Sequence, residues 1–337
     1  MKVTIYDVAE KADVSIATVS KVINNTGRIS ETTRKKVKHA MEELDYQPNM
    51  IASALMGKQT KTIGLLIPDI VNPFFAELAR SIEDRGNELG YNIVICNTDY
   101  ESEKEEKYLS LLIQKRVDGF ILASGFEKLD KVKELMKKNI PIVIVARDLP
   151  MFSVNTVALD DFMGGYFAAN HLIELGHTNI GIVARDLWSN RERLKGFNHS
   201  LKEHNLTLNK AFEFINEVDN IEAGRKMGKV YLSDKKHRPT AIFACNDLIA
   251  AGVIRVAKEH HLEVPKDLSI VGFDNTSIAS IIESGLTTVA QPIKGMGKEV
   301  VDLMISIIKG EKKDYSRITL LPSLVERKTT SLLQMKI

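Results

Sequence analysis

From Lys61 onward, short apolar runs alternate with amphipathic helical stretches, and this alternation constrains the fold more than any other feature. The runs are TIGLLIP, YNIVICNT, DGFILAS, PIVIVA, NIGIVA, TAIFACN and LSIVGFD. Between them stand stretches such as FFAELARSIEDRGNELG, SEKEEKYLSLLIQKRV and DDFMGGYFAANHLIELG. A strand that is apolar throughout has to be covered on both faces, which predicts parallel sheets flanked by helices. The runs are too many for one modest open sheet, and the pattern occurs twice with a break near residues 159–161. The expectation is an α/β core of two doubly wound parallel-sheet subdomains, with a cleft where ligands meet the carboxyl ends of strands. A dinucleotide enzyme fits poorly. The first run is followed by PDIVNPFF, not by a glycine-rich turn, and Gly295 and Gly297 lie on a late helix without a third glycine. The sequence contains no GxSxG elbow, HExxH pair or P-loop. We expect no catalytic activity, no cofactor and no metal.

The first sixty residues follow another rule. Thr4 is placed to cap a helix in which Ile5, Val8, Ala9 and Ala12 share a face, and Ser15 is placed to cap a second. Ser30 then caps a third, ETTRKKVKHAMEEL, with Val37, Met41 and Leu44 inward. In the second helix Thr18, Val19, Val22 and Ile23 gather on one side; Ile16, Ala17, Ser20, Lys21 and Asn24 gather on the other. Three short helices with a tight turn between the first two make a helix-turn-helix, whose second helix enters the DNA major groove. The plain alternative is a cap that merely packs on the rest of the chain. The outer face argues against it. Its short side chains let the backbone approach phosphates, and an outer Ile16 has a task against a thymine methyl. Residues 1–38 carry eight basic against four acidic side chains, whereas the whole chain has a net charge of only +2. In YQPNMIASALMGKQT, Asn49 is placed to cap a short helix through Met56, stopped by Gly57. Such a helix is too short and too apolar to stand alone. It reads as a segment that folds on binding and wedges a leucine between base steps.

The stretch VTIYDVAEKADVSIATVSKVIN, with ISETTRKKV, ELDYQPN and ALMGK, resembles the lactose/galactose repressor (LacI/GalR) family. The likeness continues through GLLIPDIVNPFF, KRVDGFIL, HLIELGHTNIGIV, RLKGF, PTAIFACND, VPKDLSIVGFDN and LTTVAQP, essentially the whole chain. It implies an N-terminal all-α helix-turn-helix headpiece (1–46), a hinge helix and linker (47–60), and a periplasmic-binding-protein-like core with three crossovers. The core N-subdomain would be 61–160 with 291–320, and the C-subdomain 161–290 with 321–337. The resemblance assigns base reading to Ile16, Ala17 and Lys21. It assigns contacts to phosphates or neighbouring edges to Tyr6, Ser15, Thr18, Ser20, Asn24 and Thr33, with Arg28 a further contact. Leu55 matches the intercalating leucine, beside Asn49 and Ala52. Ser53 departs from the arginine of many members, which puts one hinge phosphate contact in doubt.

Asp160, Asp274, Asn246 and Arg193 each fall near the end of an apolar run or the start of a helix. A carboxylate accepts from two adjacent sugar hydroxyls and a guanidinium forks to two oxygens. Phe74 offers a flat apolar face to a sugar ring, and Gln291 lies at the subdomain crossover. All six match effector-contact positions of the family, and Arg147 falls near another. Ordinary roles compete: Asp160 as a helix cap, Asp274 as a brace for the GFDN turn, Arg193 as a surface helix residue. Arg147 together with Arg193 favours an acidic or phosphorylated sugar. Asp219 stands where some members place an aromatic; Trp188, the only tryptophan, either compensates or anchors a loop. Cys96 and Cys245 end apolar runs and read as small core residues. The opening MKVTIYDVAEKADVS has no apolar core of a secretion signal, and no run is long enough to cross a membrane, so the expected location is cytoplasmic. The expected protein is a homodimeric repressor that binds pseudo-palindromic double-stranded operator DNA under control of a small sugar or sugar derivative. The alternative is control by a protein corepressor, as in the family's catabolite-control branch.

Overall fold

The computed structural model describes residues 3–23, 26–46, 59–123, 129–216, 218, 220–234, 237–283 and 285–334. Asn24, Asn49, Ala52, Ser53, Leu55 and Asp219 lie outside the described residues. The chain divides into two compact units, Met1–Thr60 and Lys61–Ile337.

The first unit contains α1 (Ile5–Lys11), α2 (Ile16–Ile23) and α3 (Glu31–Glu43). Their starts follow from hydroxyl chemistry. The Asp7 carboxylate accepts from both the backbone and the hydroxyl of Thr4, each at 2.7 Å. Ser15 Oγ accepts from Thr18 N at 3.2 Å, and Ser30 Oγ accepts from Thr33 N at 3.2 Å, each satisfying one orphan first-turn donor. Asp13, at φ 50°, makes the tight turn between α1 and α2. Val8, Ala9, Ala12, Val19, Val22, Val37 and Ala40 form the buried centre, with Ile23, Met41 and Leu44 packed around it. Thr18 is half-buried at the edge of that centre.

The second unit holds two sheets. The first comprises β1 (Thr62–Ile67), β2 (Asn92–Asn97), β3 (Gly119–Ala123), β4 (Ile142–Val145), β5 (Asn155–Leu159) and β11 (Arg317–Leu320). Their order is β11-β5-β4-β3-β1-β2, parallel throughout. The second comprises β6 (Ile180–Arg185), β7 (Glu213–Asn216), β8 (Ala241–Ala244), β9 (Ser269–Asp274), β10 (Thr287–Ala290) and β12 (Ser323–Val325). Its order is β12-β10-β9-β8-β6-β7, with only β12 antiparallel to its neighbour β10. Helices α4 (Pro73–Glu88), α5 (Ser102–Gln114), α6 (Leu129–Lys137) and α12 (Ile293–Ile308) belong to the segments around the first sheet. Helices α7 (Asp161–Glu174), α8 (Trp188–Glu203), α9 (Ile221–Ser233), α10 (Asp247–Glu259) and α11 (Ser277–Ile281) belong to those around the second. Each sheet has apolar clusters of its own, so each is a covered layer, as the near-continuous apolar runs require.

The chain passes from one sheet to the other after β5, after β10 and between β11 and β12. One packing detail positions the site. A Cβ added to Gly165 on α7 would strike the backbone carbonyl of Arg193, and one added to Gly196 on α8 would strike that of Phe162. The paired glycines therefore let α7 and α8 cross backbone to backbone.

Candidate functional site

On the headpiece, Tyr6 is 67% exposed and Ile16 is 40% exposed. Ser15, Ala17, Lys21 and Arg28 are exposed as well, while Ser20 and Thr33 are half-buried. The hydroxyls of Thr18 and Thr33 sit 2.9 and 2.7 Å from those of Ser15 and Ser30. The face of α2 thus offers one cation, one apolar branch and short polar groups on a shallow surface.

The second unit contains a cavity at the carboxyl ends of both sheets, with a volume of about 40 Å³. After the first-sheet strands, Asn72, Phe74, Phe75, Tyr100 and Ala146 line it. From the second half come Asp161, Leu187, Ser189, Asn190, Arg193, Cys245, Asn246 and Asp274, with Gln291 at the crossover. Phe74, Arg193, Asn246, Asp274 and Gln291 thus come together from distant positions in the sequence. Asp160 and Arg147 do not join the lining.

The doublet Asp160–Asp161 divides its labour. Asp160 caps α7, accepting from Met163 N at 2.9 Å; this turns its carboxylate towards its own helix. The next residue faces the cleft. Asp161 Oδ1 accepts from Arg193 Nε at 2.8 Å, and Arg193 Nη1 donates to the Cys245 carbonyl oxygen at 2.7 Å. The Arg193 guanidinium also stacks 3.5 Å from the Phe273 ring. Arg193 is buried, not a surface helix residue. Burial pushes the Asp161 carboxyl up to about 6, and the neighbouring Arg193 charge limits the rise.

Asp274 ends β9 at φ 104°, a backbone region L-residues rarely adopt, and Asn275 follows at φ 55°. The surroundings hold this strain. Gln291 Nε2 donates to Asp274 Oδ1 at 2.7 Å, and Arg327 Nη2 donates to Asn275 Oδ1 at 2.7 Å. Below the turn, buried Asp247 accepts from Thr276 N, Thr276 Oγ1 and Thr288 Oγ1 at 2.8, 2.9 and 2.7 Å. Burial raises its carboxyl to about 6. Asn246 caps α10 through Ile249 N at 2.7 Å, with its side chain at the cavity wall. Phe74 meets Phe75 edge-on at 5.0 Å. Arg147, half-buried behind Ala146, has its pKa lowered by burial and by Arg191, with Glu105 as counter-charge.

Among the described residues, at least two contacts cross the cleft. The Arg185 guanidinium lies 3.7 Å from the Tyr100 ring centre, and Glu77 on α4 accepts from Ser277 N at the start of α11 at 2.8 Å. They hold the halves close. A cavity of about 40 Å³ admits roughly three water molecules, so a sugar enters only if the halves part.

Residue-type reasoning missed Asp161, Asn190 and Tyr100. The glycine pair in DDFMGGYF was the one local signal that could have pointed to α7 as a helix in close contact with another. Among the described residues no group of His, Cys, Asp and Glu is placed to hold a metal ion. No described helix is long and apolar enough to cross a membrane.

Residues 4–49 match the family model of bacterial regulatory proteins of the lacI family. Residues 169–330 match that of a periplasmic binding protein-like domain. The chain is 46% identical over 336 residues to the HTH-type transcriptional regulator DegA of Bacillus subtilis (strain 168), covering 98% of this chain and 99% of that one. It is 39% identical over 334 residues to catabolite control protein A of Priestia megaterium, covering 97% and 98%. Among solved structures, the Lac repressor dimer bound to operator and the anti-inducer ONPF is similar, with a TM-score of 0.86 and 29% identity, covering 98% of this chain and 100% of that one. An exposed-face helix-turn-helix joined to a two-sheet core, with these identities along its length, makes the chain a member of the lacI family of DNA-binding transcriptional regulators.

Proposed function

We propose that the protein is a cytoplasmic, homodimeric repressor without catalytic activity, which binds a pseudo-palindromic operator and releases or tightens on it when a small polyhydroxylated effector occupies the cleft. In this reading residues 1–46 read DNA, 47–60 form the hinge, and the core divides into 61–160 with 291–320 and 161–290 with 321–337. Ile16, Ala17 and Lys21 meet base edges; Tyr6, Ser15, Thr18, Ser20, Asn24, Arg28 and Thr33 hold the backbone. Leu55 wedges the central step, flanked by Asn49 and Ala52. Phe74 lies against the sugar ring, while Asp274, Asn246, Arg193 and Gln291 meet its hydroxyls. Asp160 acts through the α7 cap and Arg147 from behind the wall.

The observation that carries the reading is a cavity walled by both sheets. A ligand there alters how the halves meet, which changes the spacing of two hinges across a dimer. The similar Lac repressor structure, a dimer on operator with a ligand, supports the same arrangement. The test is selection of bound duplexes from a random library by the full chain, followed by sugar titration. A two-fold symmetric motif with sugar-dependent affinity is expected. A protein that stays monomeric with DNA, or selects no motif, refutes the reading.

A further inference from the structure

Asn190, on the first turn of α8, is 4% exposed and lines the cavity. Its Nδ2 donates to the Arg185 carbonyl oxygen at 3.0 Å. That bond fixes which end of the carboxamide is oxygen. The other end, Oδ1, is buried and accepts from no group among the described residues. A buried acceptor of this kind is destabilising until something donates to it.

The charges around it are already matched. Arg193 is bonded to Asp161 at 2.8 Å. Arg191 donates to both oxygens of Asp186 at 2.7 and 2.9 Å. Arg147 stays outside the lining, where burial and the Arg191 charge outweigh the pull of the buried Glu105. Asp274 takes its hydrogen bond from the neutral Gln291. Around the cleft the carboxylates of Asp161, Asp186, Glu105 and Asp274 equal in number the guanidiniums of Arg147, Arg185, Arg191 and Arg193, so the lining offers an anion no clear excess of positive charge. A phosphate or carboxylate entering here would have to break an ion pair or sit beside Asp161 and Asp274. A neutral hydroxyl does neither: it donates to Oδ1 and accepts elsewhere.

The geometry points to Asn190 as a specificity-determining residue, whose Oδ1 accepts a hydroxyl proton from a neutral polyhydroxylated effector, in a cleft that disfavours anionic sugars. This rests on the reading of the cleft as the effector site. It reverses the expectation that Arg147 and Arg193 favour an acidic sugar, because Arg193 is paired with Asp161 and Arg147 does not line the cavity. Asn190 also holds the carbonyl of Arg185, the residue that closes on Tyr100, so the acceptor sits one residue from a cross-cleft contact.

The test titrates the full chain calorimetrically with ribose, glucose, galactose and cellobiose, with their phosphate esters and uronates, and with single-deoxy forms of whichever sugar binds. Wild type should bind a neutral sugar at least about tenfold more tightly than its charged derivatives. Asn190→Leu, matched in size but without an acceptor, should weaken that sugar by about tenfold. One deoxy derivative should lose a similar factor in wild type and almost nothing in Asn190→Leu, because the two changes remove one bond. Should the leucine variant fail to fold, the wild-type preference between neutral and charged sugars still decides. A charged derivative that binds more tightly than its parent, or an Asn190→Leu protein that binds like wild type, overturns the inference and leaves the effector reading standing. Wild type that binds DNA but none of these sugars overturns both.

Discussion

Ile16 stands 40% exposed on the face of α2, whereas Arg193, Asn246 and Asp274 are buried at the wall of the cleft. In the proposed reading the two regions therefore recognise partners by different means. The headpiece keeps its apolar centre apart from the exposed face proposed to read DNA, so Val8, Val19, Val22 and Val37 are buried while Ile16, Ala17 and Lys21 stay at the surface. In the cleft the residues placed to meet a ligand are also the residues that hold the architecture. Arg193 neutralises Asp161, Asp274 carries backbone strain, and Asn246 starts a helix. A change on the first surface should alter recognition alone. A change in the second should alter recognition and stability together.

The sharpest way to break that contrast is Arg193→Leu. Removing the cation leaves Asp161 buried and uncompensated, and about 3–5 kcal/mol of stability should disappear in denaturant titration. If the variant unfolds like wild type, the pair is not structural and the contrast fails. Next in size is Gly165→Ala. The new methyl meets the Arg193 carbonyl and should separate α7 from α8, costing about 1–3 kcal/mol in melting experiments and weakening any cleft ligand. An unchanged melting temperature would show that the helix crossing is looser than described.

How legible each region was follows from the same contrast. The caps at Thr4, Ser15 and Ser30 and the faces of α2 depend on one helical period, so spacing alone found them. The long apolar strands were legible for the same reason. β5, β7, β10, β11 and β12 were not, because NTVAL, EFIN, TTVA, RITL and SLV are short and carry polar residues, and their pairing depends on distant neighbours. In the cleft, strand-end and helix-start positions pointed to Arg193, Asn246 and Asp274 as well as Asp160, and the family resemblance brought in Phe74 and Gln291 beside them. No spacing rule separates Asp160 from Asp161, since both stand at one strand-to-helix junction and only the crossing of α8 decides which meets Arg193. Asn190 was invisible, because its meaning depends on a backbone carbonyl five residues earlier in the chain.

A middle-sized effect concerns the two contacts that bridge the halves. Arg185→Ala together with Glu77→Gln removes the stack on Tyr100 and weakens the bond to Ser277. Stability should change by only about 1 kcal/mol, since the Glu77 contact is exposed and the Arg185 stack only half-buried, while small-angle scattering should show a wider core and ligand association should quicken. Unchanged scattering and association rates would remove these contacts from the switch.

Acidity sharpens the comparison further. The Asp161 carboxyl sits at about 6 rather than its ordinary value of 3.8. Between these values the folded protein holds a proton that the unfolded chain releases. The group's contribution to stability therefore grows as pH falls through that window, and it opposes folding at neutral pH. Protonation also removes one negative charge from the cleft. On going from about pH 7 to about pH 5, the preference for a neutral sugar over its uronate, which stays ionised, should shrink several-fold. Asp161→Asn should show the smaller preference at both values. A preference that does not move with pH would place the discrimination elsewhere. The smallest stability effect belongs to the headpiece. Lys21→Ala should change unfolding by less than about 0.5 kcal/mol and yet alter which bases are selected at a half-site.

In the proposed function the exposed face of the headpiece and the buried cleft are coupled. That coupling is tested most directly by measuring affinity for a selected duplex with and without a saturating sugar that binds the cleft, and affinity for that sugar with and without the duplex. A change of about fivefold or more is expected, equal in both directions because the coupling is reciprocal, and absent in Asp274→Ala. A sugar that binds tightly in the cleft while leaving DNA affinity unchanged would contradict it.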